Sequence, residues 1–148
     1  MINIFDRLAV IRVAEVMNTD IVFVRDTDTM HSAAQRIHAN CISGAPVIDR
    51  HGHCVGVLGI SDFTTPTLRG DREPNDVWGD FVRTHMTSPA VSIAPTASLV
   101  DASRLMCTKH VHRLPVVDES GHLVGMISSL DVVGSLVAEA NSRAMAEV

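Results

Sequence analysis

The sequence predicts a mixed α/β (α+β) fold of tandem β-α-β-β-α repeats that pack on each other about a pseudo-two-fold axis. When the sequence is compared with itself at an offset of 69, matching residues align without gaps. Within both halves, β-rich runs and helical spacings follow one another in the same order. Three strands and two helices of this size cannot bury their apolar faces alone, so the two halves should pack together.

The internal match is closest around two predicted hairpins. Residues 46–49 (PVID) fall on residues 115–118 (PVVD), and Val55-Gly56 falls on Val124-Gly125. In both halves an Asp precedes the connection and a Gly ends it, which are residues that favour tight turns. The repeat therefore indicates a duplicated unit of about 50 residues.

The elements follow from β-rich runs and from helix-start signals. Thr29 and Ser98 stand where an N-cap belongs, and apolar residues at helical spacing follow each of them. A second helix starts near Asp62 in the first repeat, and another runs over 129–143 in the second. The predicted strands are 21–24, 45–49, 54–60, 91–94, 114–118 and 123–128.

Two segments lie outside the repeat. Residues 5–16 predict a helix with a moderate apolar stripe, and residues 65–80 predict a connection with a helix around 77–83. The expected domains are 1–70 (the N-terminal helix and the first motif), a linker at 71–84, and 85–148 (the second motif), together forming one module.

Composition excludes several classes of function. The net charge of −5 and an aromatic content of 3% argue against nucleic-acid binding and against attraction to anionic membranes. No apolar run reaches the roughly 20 residues of a membrane helix, and residues 1–16 lack the pattern of a secretion signal. Three cysteines at no metal-ligand spacing fit a reducing compartment, so we expect a cytoplasmic protein. No catalytic motif is present, which predicts that the chain is not an enzyme.

Ser128 and Asp131 form the most informative local motif. A Ser at a helix N-cap with an acid three residues later is a capping box, which by itself accounts for both residues. The same geometry also suits a nucleotide, because a helix N-terminus with a hydroxyl attracts phosphate and a carboxylate accepts hydrogen bonds from ribose. The residues alone leave both interpretations open.

The combination of motifs resembles one known family. Residues 112–118 (HRLPVVD) followed by residues 125–131 (GMISSLD) are similar to the cystathionine β-synthase (CBS) domain pair, also called a Bateman module. The resemblance extends from about residue 14 to residue 137. It implies two clefts between the repeats that bind adenosine compounds such as AMP, ADP, ATP or S-adenosylmethionine, and assembly as a homodimer. It favours the nucleotide role for Asp131 and Ser128.

The resemblance also implies the other members of each cleft. Every cleft takes its acid from one repeat and an adenine-contacting loop from the other. The cleft of Asp131 and Ser128 would use Asp20, Ile21, Ile42, Ser43 and Ala45, and the cleft of Asp62 would use Ala90, Val111 and His112. Read without the resemblance, the apolar members of both sets are ordinary core residues.

The two predicted clefts are unequal. Gly59 stands where the second repeat has Ser128, while Asp62 is retained. A Gly N-cap costs only a few tenths of a kcal/mol relative to Ser, so the helix should still form. The first repeat therefore lacks a hydroxyl that could face phosphate.

Basic residues cluster ahead of the second hairpin. Lys109, His110, His112 and Arg113 are either the solvated end of a helix or a clamp for phosphate, in which Arg113 offers paired donors. The resemblance supports the second role for His112 and Arg113. Other histidines, such as His51 and His53, are interpreted as turn residues, and no metal site is predicted.

These observations predict a stand-alone regulatory module that binds an adenosine-containing ligand and signals to a separate effector protein. No catalytic cofactor is expected. The alternative is a dimerisation or interaction scaffold whose clefts are vestigial, for which Gly59 is the strongest support.

Overall fold

The computed structural model describes residues 3–68, 70 and 73–146, which form a mixed α+β fold as predicted. The helices are α1 (Ile4–Val10), α2 (Val13–Val16), α3 (Met30–Ala39), α4 (Ile60–Leu68), α5 (Pro74–Val77), α6 (Val82–His85), α7 (Leu99–Lys109) and α8 (Ser129–Ala146). The strands are β1 (Val24–Arg25), β2 (Gly44–Ile48), β3 (Cys54–Gly59), β4 (Arg113–Val117) and β5 (Leu123–Ser128). None of the helices in these ranges is long and apolar enough to cross a bilayer.

The predicted N-caps and hairpins are confirmed. Thr29 Oγ1 accepts a hydrogen bond from the Ser32 N–H at 3.1 Å, and Ser98 forms a full capping box with Asp101. Strand β2 pairs antiparallel with β3, and β4 lies beside β5. These elements follow from short-range signals, because capping and turn geometry involve residues only a few positions apart.

The first strand of each repeat is shorter than predicted. Strand β1 covers Val24–Arg25, parallel to β2, and a turn in which the Asp28 carboxylate accepts from the Arg25 N–H follows it. In the second repeat only a parallel bridge between Ile93 and Val116 remains. Hydrogen bonding to a neighbour defines a strand, and few residues of the predicted runs have such a neighbour.

The segments outside the repeat also differ from the prediction. The single helix predicted over 5–16 is broken into α1 and α2, because Arg12 is extended and pairs with Ser98. The backbone of Leu99 also donates to the Ile11 carbonyl at 3.0 Å. The helix predicted around 77–83 is likewise two short helices, α5 and α6, separated by a bridge from Phe81 to Thr29.

This difference shows that the internal repeat starts earlier than the strongest sequence matches. At the offset of 69, Arg12 corresponds to Phe81 and Ser98 to Thr29, so the two bridges are equivalent. Helix α2 corresponds in the same way to α6. Val13 and Val82, which are the equivalent first residues of these helices, are fully buried.

The chain divides into two compact units that do not follow the boundaries at 70 and 85. The first-repeat unit contains Val22–Ala90 with Ser120–Leu123, and the second-repeat unit contains Met1–Ile21, Val91–Glu119 and Val124–Val148. Helix α2, which begins the first repeat, thus belongs to the second-repeat unit. Helix α6, which lies at the start of the second repeat, belongs to the first-repeat unit. Each unit is described below by itself.

Each unit has its own apolar core. The core of the first-repeat unit consists of Val24, Met30, Ala33, Ile37, Ala45, Val47, Leu58, Val77 and Val82. The core of the second-repeat unit consists of Val13, Ile93, Leu99, Ala102, Met106, Leu114, Val116, Ile127 and Val132. In each unit a short helix that is distant in sequence from most of the core contributes a fully buried valine, Val82 of α6 or Val13 of α2. Long-range contacts are therefore part of both cores.

Candidate functional site

The junction of β5 and α8 holds Ser128 and Asp131 in a reciprocal capping box. The Ser128 N–H donates to Asp131 Oδ2 at 2.8 Å, and the Asp131 N–H donates to Ser128 Oγ at 3.1 Å. Helix α8 is 18 residues long, so its aligned peptide dipoles present a partial positive charge at this end. The capping interpretation of both residues is therefore confirmed.

The box still leaves groups that a ligand can use. Its bonds occupy Oδ2 of Asp131, and within the described ranges no hydrogen bond reaches Oδ1. Ser128 Oγ accepts from the Asp131 N–H, which leaves its own O–H proton to be donated. A capping role and a ligand-binding role for the same two residues are therefore compatible.

The basic segment ahead of β4 adjoins this junction. The Ser129 N–H, at the start of α8, donates to the His112 carbonyl at 2.8 Å. His112 and Arg113 are both exposed, and Arg113 is the first residue of β4. The guanidinium of Arg113 therefore belongs to the chain segment that contacts the N-terminus of α8, where its charge increases the positive potential.

The first repeat reproduces half of this arrangement. The Gly59 N–H donates to Asp62 Oδ2 at 2.7 Å, and the Ile60 N–H donates to the Ser43 carbonyl at 3.2 Å. Glycine supplies no hydroxyl to complete the box, yet α4 forms as expected. The two repeats therefore differ in their capping hydrogen bonds at this junction.

Burial raises the pKa of Asp62. This carboxyl is half-buried, and its loss of solvent raises its pKa above the ordinary value of 3.8. The bond from the Gly59 N–H and the charge of His85 act in the opposite direction without cancelling the effect. A partly desolvated carboxylate is a strong hydrogen-bond acceptor, which suits a group that binds hydroxyls.

The remaining predicted site residues are divided between the two units. Asp20 and Ile21 share the second-repeat unit with Ser128, Asp131, Val111, His112 and Arg113, whereas Ile42, Ser43, Ala45, Asp62 and Ala90 belong to the first-repeat unit. The contacts of Asn18, two residues before Asp20, explain this membership. Asn18 pairs antiparallel with Met126 of β5, and its side chain accepts from the Asp20 N–H at 3.0 Å. The sequence did not indicate that Asn18 attaches this segment to β5, since no local pattern distinguishes it.

Three of the predicted apolar site residues contact the cores. Ala45 is 1% exposed and is itself a core residue, so its side chain is not available to a ligand. Ile42 and Val111 are half-buried and pack against the cores of their own units. Ile42 and Val111 therefore combine a core role with a partly exposed surface.

Metal-ligating side chains do not cluster among the described residues of either unit. Across the described ranges, no group of three or more His, Cys, Asp or Glu side chains is arranged to hold a metal ion. His53 and His122, on equivalent turns, have ring centroids 4.6 Å apart, and Asp49 accepts hydrogen bonds from the backbone N–H groups of His51 and His53. These contacts agree with the interpretation of the histidines as turn residues.

Comparison with known proteins identifies the family. The model of the CBS domain matches residues 13–65 and 78–138, which are the two repeats. The chain belongs to the CBS-domain family. The two matched ranges make it a tandem CBS pair, and the resemblance noted in the sequence is confirmed.

Several relatives have similar size and sequence. An uncharacterised protein of Methanocaldococcus jannaschii is 26% identical, over 84% of this CBS chain and 90% of the relative. An uncharacterised protein of Methanopyrus kandleri is 23% identical over 83% of this chain, which spans 61% of that relative's length. The CBS-pair protein CBSX2 from Arabidopsis thaliana has a solved structure with 26% identity and a TM-score of 0.79, covering 88% of this chain and 97% of that one. A second CBSX2 structure, at 25% identity, contains AMP.

Proposed function

We propose that this CBS pair is a regulatory module that binds an adenosine-containing ligand, with Asp131 holding the ribose and Ser128 facing the phosphate. The observation that carries the proposal is the β5–α8 junction. One oxygen of its carboxylate and the proton of its hydroxyl are not used by the capping box. CBSX2, whose structure contains AMP, supports an adenosine compound as the ligand class.

The chemistry of the junction favours a nucleotide as the ligand. Two vicinal ribose hydroxyls donate to a carboxylate, and bonds to a charged acceptor are worth about 1.5–3 kcal/mol each. The N-terminus of α8 and the neighbouring Arg113 supply positive charge for a phosphate, and the ring of His112 offers a hydrogen-bond donor. A nucleotide should therefore bind more tightly than the free nucleoside.

A signalling role requires that the ligand prefers one arrangement of the protein. A ligand with equal affinity for two arrangements shifts neither population, so the output depends on contacts made in only one of them. We propose that AMP or a related compound stabilises one such arrangement of a homodimer in the cytoplasm, and that a separate protein recognises it. No catalytic step is part of this proposal.

The deciding experiment compares two matched variants. Asp131→Asn keeps an amide oxygen for the Ser128 N–H but removes the charge and weakens ribose binding. Asp101→Asn makes the same change in the capping box of α7, where Ser98 and Asp101 have equivalent bonds at 3.1 Å. Calorimetric titration with AMP should show affinity reduced about 10–100-fold by Asp131→Asn and unchanged by Asp101→Asn.

The alternative function is a dimerisation scaffold with vestigial clefts. The capping box favours it to a limited degree, because capping alone gives Ser128 and Asp131 a structural role. Saturation at about 100 times the dissociation constant adds roughly 2.7 kcal/mol to the free energy of unfolding. A panel of AMP, ADP, ATP and S-adenosylmethionine that gives no such stabilisation would leave the scaffold as the function.

A further inference from the structure

The two repeats differ at the extended segment that pairs in parallel with the first strand of each hairpin. The first repeat carries Phe23 and Arg25, and the equivalent positions of the second repeat carry Ser92 and Ala94. The residue between each pair, Val24 or Ile93, is buried in the core of its unit. Because side chains alternate along an extended segment, the flanking pairs project away from the core.

In the first-repeat unit these positions carry large side chains that stack on each other. The guanidinium of Arg25 lies 5.7 Å from the centre of the Phe23 ring, and that of Arg36 lies 5.5 Å from it. A cation at this distance is attracted by the electron-rich face of the ring. The chain itself thus provides an aromatic ring and two cations at this place.

The second-repeat unit has an open cavity at the equivalent place. Its volume is about 310 Å³, and its walls include Ser92, Ala94 and Thr96 from one segment with Val117 and Glu119 from the end of β4. Leu105 replaces Arg36, so no cation of α7 corresponds to the one in α3. This volume lies at the lower end of the range of about 300–1,000 Å³ for ligand pockets.

The acidic residues of the cavity are complementary in charge to the arginines that the first repeat carries at the equivalent place. The lining includes two acidic residues, Asp118 and Glu119, together with the apolar residues Ile93 and Val117. On another side the Arg12 guanidinium donates to the Thr96 carbonyl at 3.3 Å, so its charge partly offsets theirs. A lining that combines apolar residues with two acidic residues suits a group that is both aromatic and positively charged.

We propose that this cavity binds a small organic cation with an aromatic ring, such as an arylalkyl guanidine or amine, in the place of Phe23 and Arg25. The site is separate from the proposed adenosine site, because its walls lie at the end of β4 whereas His112 and Arg113 lie at its start. The second-repeat unit would then sense a second ligand of opposite charge to a nucleotide.

The probe for this site is 2-phenylethylguanidine. At the ligand efficiency typical of small molecules, its dissociation constant should be about 1 mM. Amide resonances of Ser92, Ala94, Thr96 and Glu119 should shift in a two-dimensional NMR titration. The neutral 2-phenylethanol and the anionic 3-phenylpropionate should shift them at least about 10-fold less at equal concentration. Equal binding of the neutral compound would overturn the role of the carboxylates.

Two variants test the location of the site. The double substitution Ser92→Phe and Ala94→Arg copies the first repeat into the cavity and should abolish binding of the probe. Glu119→Arg, which copies Arg50 at an exposed position, should weaken binding at least about 10-fold without altering the core. Unchanged affinity in the Glu119→Arg variant, or in a folded double variant, would overturn the proposal.

Two further measurements separate this proposal from others. Asp131→Asn should leave binding of 2-phenylethylguanidine unchanged, so the two proposed sites stand or fall independently. The tripeptide acetyl-Phe-Val-Arg-amide carries the same ring and cation on a peptide backbone. Binding of this peptide 10-fold tighter than the guanidine would overturn a small-molecule ligand in favour of a peptide segment.

Discussion

Met17 packs so closely against Gly125 that a β-carbon added to the glycine would lie 2.5 Å from the methionine sulfur. The neighbouring residue Asn18 pairs with Met126, so the segment that begins the first repeat is attached to β5. The first repeat has the equivalent contact, in which an added β-carbon on Gly56 would lie 2.7 Å from the Met86 sulfur. Glycine at both positions lets a segment from outside each repeat approach the strand.

Gly125→Ala should therefore destabilise the protein by about 1–3 kcal/mol, because an added methyl group overpacks a dense interior. The matched control is Gly134→Ala in α8, where an added β-carbon has no heavy atom within 4 Å. That substitution should stabilise the helix by up to about 1 kcal/mol, since alanine loses less entropy than glycine. Urea unfolding at constant m measures both. Equal stability of the two variants would contradict the close packing.

The same contact shows where prediction from the sequence ends. Self-comparison matched Met17 with Met86 and Gly125 with Gly56, which establishes that these residues are equivalent. It does not reveal that Met17 packs on Gly125 and not on Gly56, because either pairing satisfies the same pattern. Sequence self-comparison shows which residues are equivalent in the two repeats. It does not show which of two equivalent glycines Met17 contacts, because that depends on how the chain connects the repeats.

Local features were predictable for a physical reason. The capping residues Ser98 and Ser128 act on backbone groups three residues away, so the sequence contains both partners of each bond. The break between α1 and α2 was not predictable in this way. It depends on the Val13 N–H, which donates to the Ala97 carbonyl, and on the Ile11 carbonyl, which accepts from the Leu99 N–H. No pattern in residues 5–16 indicates these bonds. Long-range hydrogen bonds override a moderate helical stripe.

Removal of the α7 cap provides a second prediction. Ser98 is 6% exposed, and its hydroxyl accepts from the Asp101 N–H at 3.1 Å. Ser98→Ala should lower the free energy of unfolding by about 1 kcal/mol, because it leaves a helix N-terminal N–H without its acceptor. The control is Ser103→Ala. The Ser103 hydroxyl donates to the Leu99 carbonyl, which already takes part in the backbone hydrogen bonds of the helix, so its loss should cost less. A larger cost for Ser103→Ala would contradict the importance of the cap.

Asp62 and Asp101 should give opposite pH dependences. Burial raises the pKa of Asp62, so the folded state holds this proton more tightly than the unfolded chain. That contribution to stability is present at low pH and is lost as the pH rises from 3.8 through the higher folded value. Hydrogen bonds from the Ser98 N–H and hydroxyl lower the pKa of Asp101, so its contribution is present above 3.8 and is lost as the pH falls.

The measurement uses Asp62→Asn and Asp101→Asn, neither of which titrates at the substituted position. Urea midpoints between about pH 2.5 and pH 7 are compared with the wild type at each pH. Relative to the wild type, Asp62→Asn should gain stability as the pH rises, and Asp101→Asn should lose it. The comparison uses how the stability difference changes with pH and not its absolute size, because both substitutions also weaken a helix cap. Slopes of the same sign would contradict the opposite environments of the two carboxyls.

A reciprocal exchange tests the inequality of the two repeats. An added β-carbon on Gly59 would lie 3.9 Å from the Ser43 carbonyl oxygen and 4.0 Å from Asp62 Oδ2, which are ordinary contacts. Gly59→Ser should therefore fold normally and complete a capping box, with a gain of a few tenths of a kcal/mol. Ser128→Gly should lose a similar amount.

The consequence for binding is larger than that for stability, because a hydroxyl that donates to a charged phosphate is worth about 1.5–3 kcal/mol. Ser128→Gly should weaken AMP about 10–100-fold and leave adenosine nearly unchanged. Gly59→Ser should strengthen AMP at the Asp62 site, which calorimetric stoichiometry would show as a second binding event. If AMP and adenosine weaken equally in Ser128→Gly, then Ser128 acts only as a cap and the phosphate is held by other residues.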